Sequence, residues 1–266
     1  MEEGSRLESI LVADCGSATT RVALIDLVGG EFRLVGKGET ATTVEPPWSR
    51  ISLGAREAIG LLERSTGRVL LSGQGELIVP ERENGSGVDG FVATVSAAVP
   101  LRVGVVGLIR ELSVDSLLKA VDCSYVVVDT VVARDEMAGN SGGMGGVLRD
   151  TLRNRPDAIL LAGGTEGGAV TPVVEAAKDV AAVLSSSEWG GRVHVVFAGN
   201  TQARSEVARV LGECSDLRVV DNVRPAVGTE DLEGLEEEVS RLYRDVKLAH
   251  VPGYGCLLYT SPSPRD

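Results

Sequence analysis

The chain has 266 residues, 43% of them apolar, and a net charge of −12, so it is long enough for one large or two small domains with buried cores. The acidic balance argues against a nucleic-acid partner, because a phosphate backbone attracts clustered lysine and arginine. No apolar run reaches the length of a membrane span and no signal peptide precedes the first predicted strand, so we expect no membrane association.

The first hundred residues predict a β-meander followed by one helix. Alternating apolar residues indicate strands near 8–14, 20–28 and 31–38. Apolar positions at helical spacing predict a helix over 50–66 that stops at Gly67. A short strand is predicted at 69–71, and a surface loop over 73–90, which is rich in Gly, Glu and Ser.

From residue 101 the pattern changes to alternating strands and helices, which predicts a parallel sheet with right-handed crossovers. The predicted strands are 102–109, 125–132, 157–162, 193–198 and 217–221. Helices are predicted after the caps Ser113 and Thr171, with Pro172 in the first turn of the second, and over 201–213. A last helix is predicted from Thr229 to about Lys247.

The most informative stretch is the first predicted hairpin, Ile10 to Ile25, with its turn at Asp14-Cys-Gly-Ser-Ala-Thr-Thr-Arg21. Gly16 allows a tight turn, and Ser17, Thr19 and Thr20 offer hydroxyls beside the turn amides. Arg21 adds a cation, and Asp14 can hold a hydrated magnesium ion. These groups suit the terminal phosphates of a nucleotide, although an ordinary hairpin with a polar turn has the same composition.

The pattern Asp-x-Gly-Ser-x-Thr-Thr-Arg resembles the first phosphate motif of the actin, Hsp70 and sugar kinase superfamily. Among the forms of that motif, the pattern most resembles those of two branches, the activators of 2-hydroxyacyl-CoA dehydratases and the MutL family of glutamate mutase accessory proteins. Further blocks in the same order resemble the MutL branch. They are Gly38–Glu45, Ser96–Ala98 leading into Leu101–Leu108, Ile159–Gly168 and Asp221–Pro225.

The resemblance implies an α/β fold in which an actin-like (ribonuclease H-like) N-terminal domain carries an inserted Rossmann-like parallel-sheet subdomain. Residues 1–100 would begin the actin-like ATPase domain, 101–225 would form the insertion, and 226–255 would form a helix that returns to the first domain. The expected ligands are ATP and Mg²⁺. Asp14 would be the catalytic and metal-holding residue, and the phosphates would be bound by Gly16, Ser17, Thr19, Thr20 and Arg21.

The implied function is that of an accessory ATPase that reactivates or protects an adenosylcobalamin-dependent glutamate mutase or related aminomutase. Its partners would be the mutase subunits, and a homodimer is one assembly that the sequence allows. Two alternatives stay open: a small-molecule kinase of the same superfamily, and a catalytically silent protein-binding scaffold. ATPase activity is expected of a full-length protein and not of this chain, which we interpret as an N-terminal fragment.

A second glycine-rich turn, Gly163-Gly164-Thr165-Glu166-Gly167-Gly168, follows a predicted strand end, where α/β folds bind ligands. Gly163, Gly164 and Thr165 could form a backbone cradle for a phosphate. The glycines could equally serve only the close packing of a helix on the sheet. The spacing is not that of the Gly-x-Gly-x-x-Gly dinucleotide fingerprint.

The last residues, 256–266, resemble a translated sequencing adapter and are kept out of the fold prediction. Without Cys256 of that segment, three widely spaced cysteines remain, Cys15, Cys123 and Cys214. A sparse and odd number of cysteines favours a reducing compartment without disulfides. The expected location is therefore the cytoplasm.

Overall fold

The computed structural model describes residues 7–137, 143–186 and 192–254, which fall into two units. The first unit contains the described residues up to Val99 and those from Lys247 onward. The second unit is Pro100–Val246. The predicted adapter-like segment 256–266 lies outside the described residues. None of the helices within the described ranges is long and apolar enough to cross a bilayer.

The first unit is built on a four-stranded sheet with the strand order β3-β2-β1-β4. Its strands are β1 (Ser9–Cys15), β2 (Thr19–Val28), β3 (Glu31–Ala41) and β4 (Gly90–Val95). The first three are antiparallel, as the predicted meander requires, and β4 runs parallel to β1. The sequence did not predict β4. The predicted strand at 69–71 was wrong, since only a single bridge, Leu71 with Leu77, forms there.

One face of this sheet is covered by helix α1 (Ile51–Thr66), which ends at Gly67 as predicted. Gly67 has a φ of 75°, the left-handed conformation that glycine adopts without steric cost at a helix end. Apolar side chains from both elements are fully buried in this layer, including Leu11 and Leu24 from the sheet and Leu62 from the helix. The opposite face, to which the alternate side chains of the strands point, is called the open face below.

The second unit contains a five-stranded parallel sheet with the order β6-β5-β7-β8-β9. The strands are β5 (Leu101–Gly107), β6 (Val126–Ala133), β7 (Ala158–Ala162), β8 (Val193–Phe197) and β9 (Ser215–Val219). Counted along the unit, the order is 2-1-3-4-5, that of flavodoxin-like doubly wound sheets, not the 3-2-1-4-5-6 order of the Rossmann fold. The predicted parallel sheet is thus present. Its strand order is the flavodoxin-like one, not the Rossmann order that was implied by the expected Rossmann-like subdomain.

Helices cover both faces of the parallel sheet, and each face has its own apolar core. The helices are α2 (Asp115–Val121), α3 (Gly143–Thr151), α4 (Thr171–Leu184), α5 (Arg204–Leu211) and α6 (Glu233–Val246). One core contains buried residues of α3, α4 and α5, and the other contains those of α2 and α6. The sequence did not predict α3.

The last helix lies in the second unit. The segment 226–255 was expected to form a helix that returns to the first domain; its helix α6 belongs to the second unit, and the described residues from Lys247 onward belong to the first. The α6 residues Leu235, Val239 and Leu242 are buried in the same core as Leu101 of β5. The apolar stripe of this helix therefore completes the layer that α2 begins on the parallel sheet.

Two predicted helix caps were also wrong. Ser113 does not cap α2, because a π-helical turn, Arg110–Val114, precedes that helix. The Ser113 hydroxyl instead accepts hydrogen bonds from the Leu108 and Ile109 amides at 3.1 and 3.2 Å. Thr171 is the first residue of α4 and makes no capping hydrogen bond, whereas Pro172 lies in the first turn as predicted.

Candidate functional site

The turn between β1 and β2 holds the first group of predicted site residues. The register places Asp14 directly opposite Arg21, and Arg21 directly opposite Glu39. These three side chains form a row on the open face. Arg21 Nε donates to Glu39 Oε2 at 2.9 Å, and Thr94 Oγ1 donates to Asp14 Oδ1 at 3.0 Å. An open groove of about 280 Å³ runs along this row and is lined by Val12, Asp14, Arg21, Val22, Ala23, Lys37, Gly38 and Glu39.

The turn itself is tight at Gly16 and open at its tip. The Gly16 amide donates to Thr19 O at 2.9 Å, and a Cβ on Gly16 would lie 3.0 Å from that oxygen. Ser17 and Ala18 are exposed at the tip. Within the described ranges, the amides of these two residues have no hydrogen-bond partner. The turn therefore presents two backbone donors and the Ser17 hydroxyl beside Asp14 and Arg21.

Thr20 lies on the other side of the sheet from this groove. It pairs with Cys15 across the hairpin, and both residues are fully buried on the face that α1 covers. A Cβ on Gly54 of α1 would lie 3.3 Å from Thr20 Oγ1. Thr20 thus packs against the helix, whereas Asp14, Arg21 and half-buried Thr19 belong to the open face.

The Arg21 guanidinium is held in its charged form by its neighbours. The hydrogen bond to Glu39, followed by the charges of Glu39 and Asp14, raises the pKa of Arg21. Lys37 adds a second cation to the same groove. Sequence reasoning missed Lys37 and Glu39 as site residues, although both occupy alternate positions of β3, the strand that pairs with β2.

The second predicted group, Gly163, Gly164 and Thr165, lies in the other unit, at the carboxyl end of β7. A Cβ on Gly163 would lie 2.4 Å from Leu108 Cγ, and Gly164 has a φ of 73°. A Cβ on Gly199, after β8, would lie 2.7 Å from Gly163 O. These close approaches give the glycines a packing role between neighbouring loops.

A hydrogen-bond network centred on Glu166 ties this turn to the loops after β8 and β9. Asn222 Nδ2 donates to Glu166 Oε1 at 2.7 Å and to Gly164 O at 3.0 Å. The Thr201 amide donates to Glu166 Oε1 at 3.2 Å, and its hydroxyl donates to Oε2. Burial opposes ionisation of this carboxyl, but the hydrogen bonds from Thr201 and Asn222 outweigh it and lower the pKa of Glu166. Glu166 and Asn222 come from two blocks that the sequence resemblance singled out separately.

Comparison with known proteins identifies the family. A family model described as "MutL protein" matches residues 10–257, which is most of the chain. The chain belongs to the MutL family. It is 26% identical over 238 residues to Protein MutL of Clostridium tetanomorphum, and the match covers 89% of this chain and 44% of that relative. The chain thus spans less than half the length of the MutL relative it matches.

Two solved structures also match, both weakly. They are a diol dehydratase-reactivating factor in nucleotide-free form, at 13% identity, and a glycerol dehydratase reactivase, at 15% identity. Each match covers 81% of this chain and 31% of the other, with a TM-score of 0.20. These scores are too low to compare the structures in detail.

Asp14 is the one predicted metal-holding residue of this MutL chain. No group of three or more His, Cys, Asp or Glu side chains that could hold a metal ion occurs among the described residues. The Asp14 carboxylate is exposed, with Oδ1 bonded to Thr94. One carboxylate fits a magnesium ion that takes its other ligands from phosphate and water. Asp14 therefore fits a metal that arrives with a nucleotide.

We expect Cys15, next to Asp14, to be chemically inert in the folded MutL chain. Burial, and then the Asp14 charge, raise the pKa of Cys15 from 9.0 to about 11, while Cys123 is exposed. Brief alkylation with iodoacetamide at pH 8, read peptide by peptide by mass spectrometry, should label Cys123 and leave Cys15 free until denaturant is added. Rapid labelling of Cys15 in the folded chain would contradict its burial.

The raised pKa of Cys15 makes the stability of the folded chain depend on pH. Because the folded-state pKa of Cys15 is the higher one, its contribution to stability is complete below pH 9.0 and is lost as the pH rises to about 11. We expect Cys15→Ala to reduce the alkaline decline in the free energy of unfolding, and Cys123→Ala to retain the part due to Cys15. Urea titrations between pH 8 and pH 11 measure both. An unchanged decline in Cys15→Ala would contradict this assignment.

Proposed function

We propose that this chain forms the nucleotide-binding N-terminal part of a MutL accessory protein that uses Mg-ATP to reactivate or protect an adenosylcobalamin-dependent glutamate mutase or related aminomutase. One observation carries the proposal. Asp14 and Arg21 face each other across the strands that lead into a turn with exposed amides at Ser17 and Ala18. An acid, a cation and free amides at one turn are what a triphosphate and its metal require.

In this site Asp14 would hold magnesium, which screens the phosphate charge and orients the phosphate oxygens. The Ser17 and Ala18 amides, with the Ser17 and Thr19 hydroxyls, would bind the β- and γ-phosphates. Arg21 would exchange its contact with Glu39 for a phosphate oxygen and offset developing charge. Thr94 holds the Asp14 carboxylate by its hydrogen bond to Oδ1. Phosphoryl transfer depends chiefly on such positioning and electrostatics.

The fold assignment is part of the same proposal. The first unit would be the beginning of an actin-like domain, and the second unit an insertion in it that includes α6. The β1–β2 hairpin at the start of the first sheet supports this assignment, because it presents the phosphate motif at a strand turn. Gly163, Gly164 and Thr165 would serve the packing of the inserted unit and would not contact ATP.

The test is reactivation of a cobalamin-dependent mutase by a full-length MutL protein. Inactivated glutamate mutase is incubated with the protein and adenosylcobalamin, together with Mg-ATP, Mg-ADP, a non-hydrolysable ATP analogue or no nucleotide. We expect activity to recover only with Mg-ATP. Equal recovery without nucleotide would favour the protein-binding scaffold. Transfer of the γ-phosphate to a member of a panel of acids and sugars would favour the small-molecule kinase.

A further inference from the structure

The open face of the first sheet is apolar away from the β1–β2 turn. The hairpin registers place the outward side chains in rows: Val12 beside Ala23 and Val92, Ile10 beside Ile25, Ile25 beside Leu34, and Leu27 beside Phe32. Three of these large side chains are more than half exposed: Phe32 and Val92 at 54% and Leu34 at 53%. An exposed apolar patch of this kind marks a surface that another element covers.

The distribution of polar residues supports this interpretation. The solvated face of an antiparallel sheet normally carries polar side chains at alternate positions. Here the outward polar side chains of β1, β2 and β3 lie toward the β1–β2 turn, in Asp14, Thr19, Arg21, Lys37 and Glu39. A sheet that is apolar on both faces requires a second covering layer. Among the described residues, helix α1 supplies that layer on one face, and the open face has none.

We propose that the open face is the docking surface for an amphipathic helix from the part of a MutL protein that lies outside the segment matched by this chain. More than half of the Clostridium tetanomorphum relative lies outside that segment, so ample chain exists to supply the helix. Four strands span about 15 Å between the outer two, which accommodates one helix about 10 Å in diameter. The helix α1 covers the opposite face of the same strands in this way.

Because the apolar patch adjoins the groove, a docked helix would also affect the groove. Val12 and Ala23 belong to the patch and also line the groove that contains Asp14 and Arg21. A helix seated on the patch would therefore border the groove and form a wall of the site. Its apolar stripe would contact the rows described above, and its end near Lys37 would carry acidic side chains to complement that cation.

The test compares two valine substitutions in the first unit, Val92→Lys on the open face and Val69→Lys away from it. The two side chains are matched, because Val92 is 54% and Val69 is 55% exposed. In the 266-residue chain, we expect both substitutions to shift the Tm by less than about 2 °C. In the full-length Clostridium tetanomorphum protein, the substitution aligned with Val92 should lower the Tm by roughly 5–10 °C, and the one aligned with Val69 should not.

Three results would overturn the proposal. One is an equally small effect of both substitutions in the full-length protein. Another is a large destabilisation by Val92→Lys in the 266-residue chain alone. The third is sedimentation that shows the chain to be a dimer which Val92→Lys dissociates, since a second copy would then be the occupant. If the lysine variant of the full-length protein does not fold, the corresponding threonine variant is measured in the same way, with the same ordering expected. No nucleotide is used, so the outcome is separate from that of the proposed ATP site.

Discussion

Replacing Asp14 by alanine in a full-length MutL protein should lower the rate of Mg-ATP turnover by about 10²–10³-fold, the cost of removing one preorganised charge-stabilising group. Asp14 is the exposed carboxylate beside the turn amides, and Thr94 fixes it by a 3.0 Å hydrogen bond. Without it, the metal would lose its protein ligand and the phosphates would no longer be aligned. Steady-state phosphate release and calorimetric titration of Mg-ATP measure both consequences.

A second substitution at Asp14 separates the effect of its charge from the effect of its shape, and a substitution at Asp122 serves as the control. Asp14→Asn keeps an oxygen that can accept from Thr94 but removes the negative charge, so we expect it to lose nearly as much turnover as Asp14→Ala. Asp122→Ala, at an exposed carboxylate in the second unit, should leave turnover unchanged. Unaltered Mg-ATP affinity and turnover in Asp14→Ala would remove this residue from the site. Full activity in Asp14→Asn would assign it a purely structural role.

The sequence predicted the β1–β2 hairpin well because its signals are local. Alternating apolar residues define two strands, and Gly16 with its polar neighbours defines the turn between them. The orientation of the side chains follows from the same register, since Asp14 and Arg21 form one pair and Cys15 and Thr20 form the next. Successive residues of a strand point to opposite faces, so the burial of Thr20 was also predictable once the turn length was known.

The elements that were missed depend on partners far away in the chain. Strand β4 lies beside β1, with Val92 opposite Val12, although the two residues are 80 positions apart in the chain. Helix α6 gains its burial from β5 and α2 of the second unit, which its own amphipathic pattern cannot identify. An amphipathic pattern indicates that one face of a helix is buried, but it does not identify the surface that covers that face.

The glycine-rich turn shows the same limit at a single position. Gly163 was open to two interpretations in the sequence, a phosphate cradle and a packing glycine. Its neighbours Leu108 and Gly199 lie 55 and 36 positions away in the chain, and their contacts support the packing role. Glycines at close backbone approaches look alike in a sequence, because the approaching atom belongs to another segment.

The shortest approach of this kind among the described glycines is at Gly38, and it predicts a large loss of stability on substitution. A Cβ on Gly38 of β3 would lie 2.1 Å from Ala58 O and 3.0 Å from Ala58 C, both backbone atoms of α1. A backbone atom cannot rotate away, so the helix and the strand must separate. That movement opens gaps around Leu24 and Leu62, which are fully buried between them. Gly38→Ala should therefore destabilise the first unit by about 3 kcal/mol or more.

Gly73→Ala is the matched control for this substitution. Gly73 belongs to the same unit, a Cβ there would meet nothing within 4 Å, and its φ is not in the left-handed range. Removing a glycine at such a position restricts mainly the unfolded chain, so the expected change lies between neutral and about 1 kcal/mol of stabilisation. Urea unfolding followed by circular dichroism measures both variants. If Gly38→Ala unfolds at the same urea concentration as Gly73→Ala, then β3 does not pack directly on α1. The close glycine-mediated layer beneath the open face would then be absent.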